Sequence, residues 1–78
     1  MESLSQIQKG ESVEIQKLSP LLEPRVHQRL RELGFSEGET ILCLRRTPLG
    51  GPIVLQTAGS IFSLGQDVTD LIEVKSLR

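Results

Sequence analysis

The sequence predicts a mainly β fold, a small and partly closed β-barrel of about five short strands with one α-helix. Short apolar segments with strand character recur along the chain, separated by glycine, proline and polar turns. Only residues 24–33 space their apolar side chains with the period of a helix. With 78 residues, the chain is predicted to form a single domain, 1–78.

The start of the chain predicts a polar lead-in, a strand and a turn. Residues 1–11 are mostly polar, and after them Val13 and Ile15 alternate with polar residues, as in a half-buried strand. Residues 19–23 are predicted to form a turn. The helix begins at Pro24, because a proline inside a helix would clash with the preceding turn.

The helix has an apolar stripe and a well-defined end. Val26, Leu30 and Leu33 fall on one face at helical spacing. Gly34 is suited to the left-handed conformation that ends many helices, and Phe35 then comes within reach of Leu30. The sequence therefore predicts a Schellman-type helix end at Gly34.

The second half predicts four further strands and one helical turn. The predicted strands are Thr40 to Arg46, Ile53 to Thr57, Ser60 to Leu64 and Leu71 to Lys75. Residues 65–70 are predicted to form the turn, with Val68 pointing inward. The apolar residues of the second strand are consecutive, which indicates a strand covered on both faces or one that closes a barrel. This order of elements is typical of an SH3-like barrel.

Charge and cysteine content narrow the class of function. Nine lysines and arginines against ten acidic residues leave a net charge of −1, which gives no attraction to nucleic acid. Cys43 is the only cysteine, so no internal disulfide forms and a reducing compartment is expected. No signal-peptide pattern opens the chain, and the longest apolar run, Ile41 to Leu44, is far below the ~20 residues that span a bilayer. We therefore expect a cytoplasmic protein that does not insert into a membrane.

The residues predict neither catalysis nor a bound metal or cofactor. His27 is the only histidine, and even with Glu23 one turn away it falls short of the three or four ligands of a transition-metal site. Cys43 lies in an apolar run and is interpreted as a small core residue. No nucleophile motif surrounds His27, and the Gly50-Gly51 pair is followed by Pro52, which has no N–H for a phosphate. A binding protein is the expected class.

Two segments are candidates for contact with a partner. Leu49 is flanked by prolines and glycines that stiffen its loop, so it is interpreted as an exposed apolar anchor, the alternative being an ordinary hairpin connection. Arg29 lies at the edge of the helix stripe, where it either covers the core rim or pairs with a partner carboxylate. At the end of a strand just before this loop, Arg45 and Arg46 form either a locally basic rim or an ordinary solvated face. The predicted partner-binding residues are Arg25, Arg29, Pro48, Leu49, Gly50, Gly51 and Pro52.

The spacing of several segments is more specific than the composition. Residues 29–41 match the pattern RL-x-x-LG-hydrophobic-x-x-G-x-x-hydrophobic, and residues 48–53 match P-hydrophobic-G-x-P. Further positions in register are Leu4, Gly10, Val13 and Ile15 at the start and Leu64, Val68, Ile72 and Val74 at the end. In this order, across residues 4–75, the chain resembles the FeoA family of small cytosolic accessory proteins of ferrous-iron transport.

The resemblance implies an SH3-like barrel that serves as a non-catalytic adaptor. Its implied partner is the cytosolic GTPase domain of the membrane-bound ferrous-iron permease FeoB. The resemblance also implies an association of the family with transition-metal ions. The same domain also occurs in iron-dependent repressors, so the alternatives are a self-associating or regulatory barrel with another protein partner, and less plausibly a nucleic-acid binder. Family members commonly carry arginine after the position of Leu64, where this chain has Gly65.

Overall fold

A computed structural model describes residues 2–77 as a single antiparallel sheet with two α-helices and a 3-10 turn. The strands are β1 (Glu2–Ser3), β2 (Ser12–Leu18), β3 (Thr40–Arg46), β4 (Ile53–Gln56), β5 (Ile61–Leu64) and β6 (Ile72–Ser76). The helices are α1 (Pro24–Leu33) and α2 (Gln66–Thr69), and the 3-10 turn is Leu4–Gln6. The six strands are arranged in the order β1-β6-β2-β3-β4-β5.

The sheet curls around the core without closing. Its register shifts between Ile15 and Lys17, where β2 meets β6, and between Cys43 and Arg45, where β3 meets β4. Such bulges bend a strand and increase its twist. The helix α2 contacts the 3-10 turn, which brings the two ends of the sheet near each other. Within residues 2–77, however, β1 pairs only with β6 and β5 only with β4, so both remain edge strands.

The core lies inside this curl and is almost entirely aliphatic. The helix α1 covers one side through Leu30, and Phe35 packs beside it with its ring 6.0 Å from that of Phe62. Aliphatic burial of this kind is the main stabilising contribution in so small a domain. The buried apolar residues are Leu4, Ile7, Val13, Ile15, Leu18, Leu22, Leu30, Phe35, Ile41, Cys43, Ile53, Leu55, Ile72 and Val74.

The helix ends as predicted. Gly34 has a φ of 102°, in the left-handed region that favours glycine. The Phe35 N–H donates to the Leu30 carbonyl oxygen at 2.9 Å and the Gly34 N–H to that of Arg31 at 3.3 Å. This pair of hydrogen bonds is the Schellman motif, so the predicted end at Gly34 is confirmed.

The prediction of a mainly β fold, with α1 after the first long strand and α2 before the last strand, is confirmed. Three details differ. Residues 2–3, predicted as lead-in, pair with β6 and form a sixth strand. In α2 the fully buried residue is Thr69, while Val68 is half-buried. In β3, Leu42 is only half-buried beside the buried Ile41, because one face of the strand meets the core and the other is partly covered. None of the helices within residues 2–77 has the length and apolar character needed to span a membrane.

Candidate protein-binding site

The loop between β3 and β4 holds Leu49 out in solvent. The Thr47 N–H donates to the Pro52 carbonyl oxygen at 3.1 Å, which closes the base of the loop. At the tip, Leu49 and Gly50 have φ values of 62° and 76°. Leu49 is the only non-glycine residue among those described with a positive φ, a conformation that destabilises an L-residue by roughly 1–2 kcal/mol. Its side chain is fully exposed, as the sequence predicted for an apolar anchor.

The base of this loop is fixed from two sides. A Cβ on Gly51 would lie 2.6 Å from Cγ2 of Thr47, so only glycine fits there without a shift. The side-chain amide of Gln66 donates to the Gly51 carbonyl oxygen at 3.2 Å and ties the loop to the start of α2. These contacts hold the loop that carries Leu49 in a defined conformation.

A second feature is an apolar groove that α1 forms with β5 and α2. Its volume is about 410 Å³ and its surface is almost entirely carbon. The apolar lining residues are Val26, Leu30, Leu33, Leu64 and Val68. Arg25 and Arg29, both predicted as partner-binding residues, line the same groove. The structure thus brings the two arginines together, whereas the predicted loop residues 48–52 lie outside the groove and connect to it through α2.

Sequence reasoning missed the contribution of β5 and α2 to this groove. In the sequence, Leu64 and Val68 are recognisable only as part of a closing pattern and of a helical turn with Val68 pointing inward. Both are half-buried, because α1 covers them incompletely. The signal available in the sequence was the narrow stripe of α1, too narrow to cover the whole face of a curled sheet.

The two arginines of the groove are weakly engaged within the chain. The Nη1 of Arg29 lies 3.7 Å from Oε1 of Glu32, and both side chains are exposed, so this ion pair contributes little. No hydrogen bond or ion pair of the Arg25 side chain occurs within residues 2–77. Both cations stand four residues apart on the same face of α1 and are available to an anionic group.

Of Arg45 and Arg46, only Arg45 is exposed at the rim. Arg45 is exposed, but Arg46 is half-buried and its Nη1 donates to the carbonyl oxygens of Ser5 at 2.8 Å and Ile7 at 2.6 Å. A guanidinium with two carbonyl acceptors holds two chain segments together. Arg46 is therefore a structural residue, and of the two interpretations a basic rim shared by both arginines is wrong.

The two candidate metal ligands, Cys43 and His27, lie in different environments. Cys43 is completely buried in the core, and desolvation raises the pKa of its thiol. A buried thiol of this kind is unreactive. His27 is half-buried on α1. Within residues 2–77, no group of three or more histidine, cysteine or acidic side chains is placed to hold a metal ion.

Comparison with known proteins gives the family. A family model described as the FeoA domain matches residues 2–76. The chain belongs to the FeoA family. The solved FeoA protein of Chlorobium tepidum is 30% identical, covers 99% of this chain and is itself covered to 71%, with a TM-score of 0.89. The iron(II) transport protein A of Clostridium thermocellum is 32% identical and covers 97% of this chain, which spans only 46% of that protein, with a TM-score of 0.88.

Other matches define the fold of the FeoA family more broadly. The FeoA of Stenotrophomonas maltophilia, solved with zinc and described as an SH3 domain protein, is 26% identical over 96% of this chain and 91% of its own, with a TM-score of 0.83. A manganese-dependent transcriptional repressor, 21% identical, covers 97% of this chain and is covered to 41%, with a TM-score of 0.86, and that likeness concerns the fold alone. Among curated protein sequences no significant match is found. The SH3-like class and the resemblance to the FeoA family are thus confirmed.

The departure from the family at Gly65 is a change of side chain rather than of backbone. Gly65 has a φ of −68°, which any residue adopts. A Cβ there would meet only the side chain of Asp67, with Oδ1 at 2.6 Å and Cγ at 3.8 Å, and this close atom is the far end of a flexible side chain. An arginine would therefore fit the backbone, and its absence removes a positive charge beside Leu64.

Proposed function

We propose that this member of the FeoA family is a non-catalytic cytosolic accessory protein of ferrous-iron transport. In this proposal it docks on the cytosolic GTPase region of the permease FeoB. Support for the transport role comes from the family match over residues 2–76 and from the structural likeness to an iron(II) transport protein. The description of the S. maltophilia relative names a possible action as a ferrous-iron transport activating factor, which points in the same direction.

The proposed docking surface is inferred from the exposure and the backbone conformation of Leu49. Its side chain is fully exposed while its backbone is held at a φ of 62°, although a glycine or asparagine would occupy this position with less strain. Backbone strain of this kind is often associated with function, because nothing else favours keeping it. An exposed leucine on a fixed loop has little entropy to lose when it enters a pocket of a partner. We therefore assign Leu49, with its flanking residues 48–52, the role of apolar anchor.

Arg25 and Arg29 supply the polar part of the proposed surface. Arginine pairs with carboxylates through two parallel hydrogen bonds, which gives direction as well as attraction. Gln66 links the loop to α2, and α2 forms one wall of the groove that the arginines line. Loop and groove therefore both adjoin α2.

The test is co-purification with the full-length permease of the same organism in mild detergent. Leu49→Glu places a charge on the proposed anchor, and Leu21→Glu is the matched control because Leu21 is also exposed, at 79%, but lies in the turn before α1. We expect wild type and Leu21→Glu to be retained and Leu49→Glu to be lost, with all three folded by circular dichroism. Retention of Leu49→Glu at the wild-type level would remove the loop from the docking surface. A wild type that is never retained would contradict the proposed partner.

A further inference from the structure

The strand β5 has a free edge along its whole length. The Thr57 N–H donates to the Ser60 carbonyl oxygen at 2.9 Å, which fixes the hydrogen-bonding phase of the β4–β5 pair. Because hydrogen-bonded and non-hydrogen-bonded pairs alternate in an antiparallel ladder, Phe62 and Leu64 bond to β4. The N–H and C=O groups of Ile61 and Ser63 then point away from β4. Within residues 2–77, these outward groups have no backbone partner.

This edge lacks the features that usually protect a strand from pairing. Edge strands are normally blunted by charge, by proline or by a bulge. The sequence of β5, Ile61-Phe62-Ser63-Leu64, has neither a charge nor a proline, and its register with β4 is regular. By contrast, the other edge strand, β1, is only two residues long. The free edge of β5 is thus the larger of the two.

The groove described above runs beside this edge. Leu64 lies on its β5 side and Leu33 on its α1 side. A second depression, between the end of α1 and the β4–β5 hairpin, includes Leu33 and Phe62, so it continues the groove toward the start of β5, and Glu32 and Glu39 also line it. A strand next to a helix, with a groove between them, is the arrangement that binds an extended peptide by strand addition.

The charge at the groove identifies the chemistry of its occupant. Arg25 stands in the first turn of α1, where the helix dipole favours carboxylates over cations, and that turn contains no acidic residue. Arg29, four residues later, places a second cation beside the first, an arrangement that weakens an isolated helix. The groove therefore carries positive charge from Arg25 and Arg29, where it would attract carboxylates, whereas Glu32 and Glu39 line the depression beside the β4–β5 hairpin.

We propose that β5 and α1 bind an extended segment of a protein partner that carries apolar and acidic side chains on the same face, at every second position. The segment pairs with the N–H and C=O groups of Ile61 and Ser63, its apolar side chains enter the groove, and its carboxylates meet Arg25 and Arg29. A second copy of this chain fits less well, because β5 itself has no acidic residue. The inference rests on the proposed function only in that the protein binds another protein, and it names a surface distinct from Leu49.

The direct test is NMR with a capped peptide of about ten residues, long enough to span a strand, in which one face carries valine with glutamate at one end and the other face carries serine. We expect shifts confined to β5 and α1, and slower amide exchange at Ile61 and Ser63 with none at Phe62 and Leu64. The same peptide with lysine in place of glutamate should not bind. Shifts located elsewhere, or none at the highest soluble peptide concentration, would overturn the proposal.

Variants separate edge pairing from general damage to the fold. Ser63→Pro removes one outward N–H, which an edge strand tolerates, and Ser63→Val keeps that N–H as the matched control. Ser63→Pro should weaken binding of the peptide about tenfold or more, and Ser63→Val should not. Arg29→Glu should abolish binding, while Arg45→Glu, on an exposed arginine away from the groove, should leave it unchanged. Equal affinity of the two Ser63 variants would contradict the proposal.

The same variants distinguish this inference from the proposed function. If the peptide does not bind at β5 and the permease retains Ser63→Pro but not Leu49→Glu, docking through the loop stands and the inference is wrong. If the peptide binds at β5 and the permease retains nothing, the inference stands and the proposed partner is wrong. If the protein alone sediments as a dimer that Ser63→Pro dissociates, β5 pairs with a second copy and the inference is wrong.

Discussion

Arg46 is expected to stabilise the fold, and the neighbouring Arg45 provides a matched control. The Nη1 of Arg46 joins the carbonyl oxygens of Ser5 and Ile7 to the end of β3, while Arg45 is exposed. Arg46→Met keeps the aliphatic stem and removes both hydrogen bonds. A hydrogen bond from a charged donor contributes about 1.5–3 kcal/mol, and partial exposure of the guanidinium reduces the sum. We expect the free energy of unfolding to fall by about 2–3 kcal/mol.

The assay is urea unfolding followed by circular dichroism, supported by a thermal scan. In a domain of this size, 1 kcal/mol corresponds to about 4–8 °C, so Arg46→Met should lower the Tm by roughly 8–24 °C. Arg45→Met should change the free energy of unfolding by no more than about 0.5 kcal/mol. Equal stability of the two variants would refute the structural role of Arg46.

Three other substitutions test local features of the structure. Gly34→Ala places a Cβ at a φ of 102°, so it should lower the free energy of unfolding by roughly 1–2 kcal/mol in urea titration. Gly59→Ala is the control, because the space around Gly59 is open, and it should leave the free energy of unfolding nearly unchanged. The pKa of the Glu37 carboxyl lies below its ordinary value because the backbone N–H of Glu37 donates to it and Arg31 forms an ion pair with it at 2.7 Å. The ionised carboxylate therefore stabilises the fold near neutral pH, and this contribution is lost as the pH falls through the folded-state pKa. Glu37→Gln should therefore be slightly less stable than wild type at pH 7, and the difference should vanish in acid titration; a constant difference would contradict this assignment. Cys43, buried and with a raised pKa, should react with a thiol reagent only in urea, and rapid labelling of the native protein would contradict its burial.

Features that depend on neighbouring residues were predictable from the sequence. The start of α1 at Pro24 follows from the geometry of proline, and its end at Gly34 follows from the left-handed conformation that glycine adopts easily. The bounds of β3 were also predicted, from Thr40 to Arg46. The exposure of Leu49 followed from the prolines and glycines around it. Each of these features is set within a few residues along the chain.

Features that depend on sheet order were not predictable. The acceptors of Arg46 lie about forty positions earlier in the chain, so no local pattern indicated them. The free edge of β5 follows only from the order β1-β6-β2-β3-β4-β5, in which β5 is last. The groove likewise requires Leu64 and α1 to meet across distant segments. Arg25 and Arg29 were identified as candidates, but their position beside an apolar groove came from the three-dimensional arrangement.

The most direct test of the proposed transport role is ferrous-iron uptake in cells that lack the chromosomal copy of this gene. The cells would carry wild type, Leu49→Glu or the control Leu21→Glu at equal protein abundance. We expect wild type and Leu21→Glu to change the uptake rate to the same extent relative to the deletion, and Leu49→Glu to leave it at the deletion level. Uptake with Leu49→Glu equal to that with wild type would contradict docking through the Leu49 loop, and an uptake rate that wild type leaves unchanged would contradict the role in ferrous-iron transport.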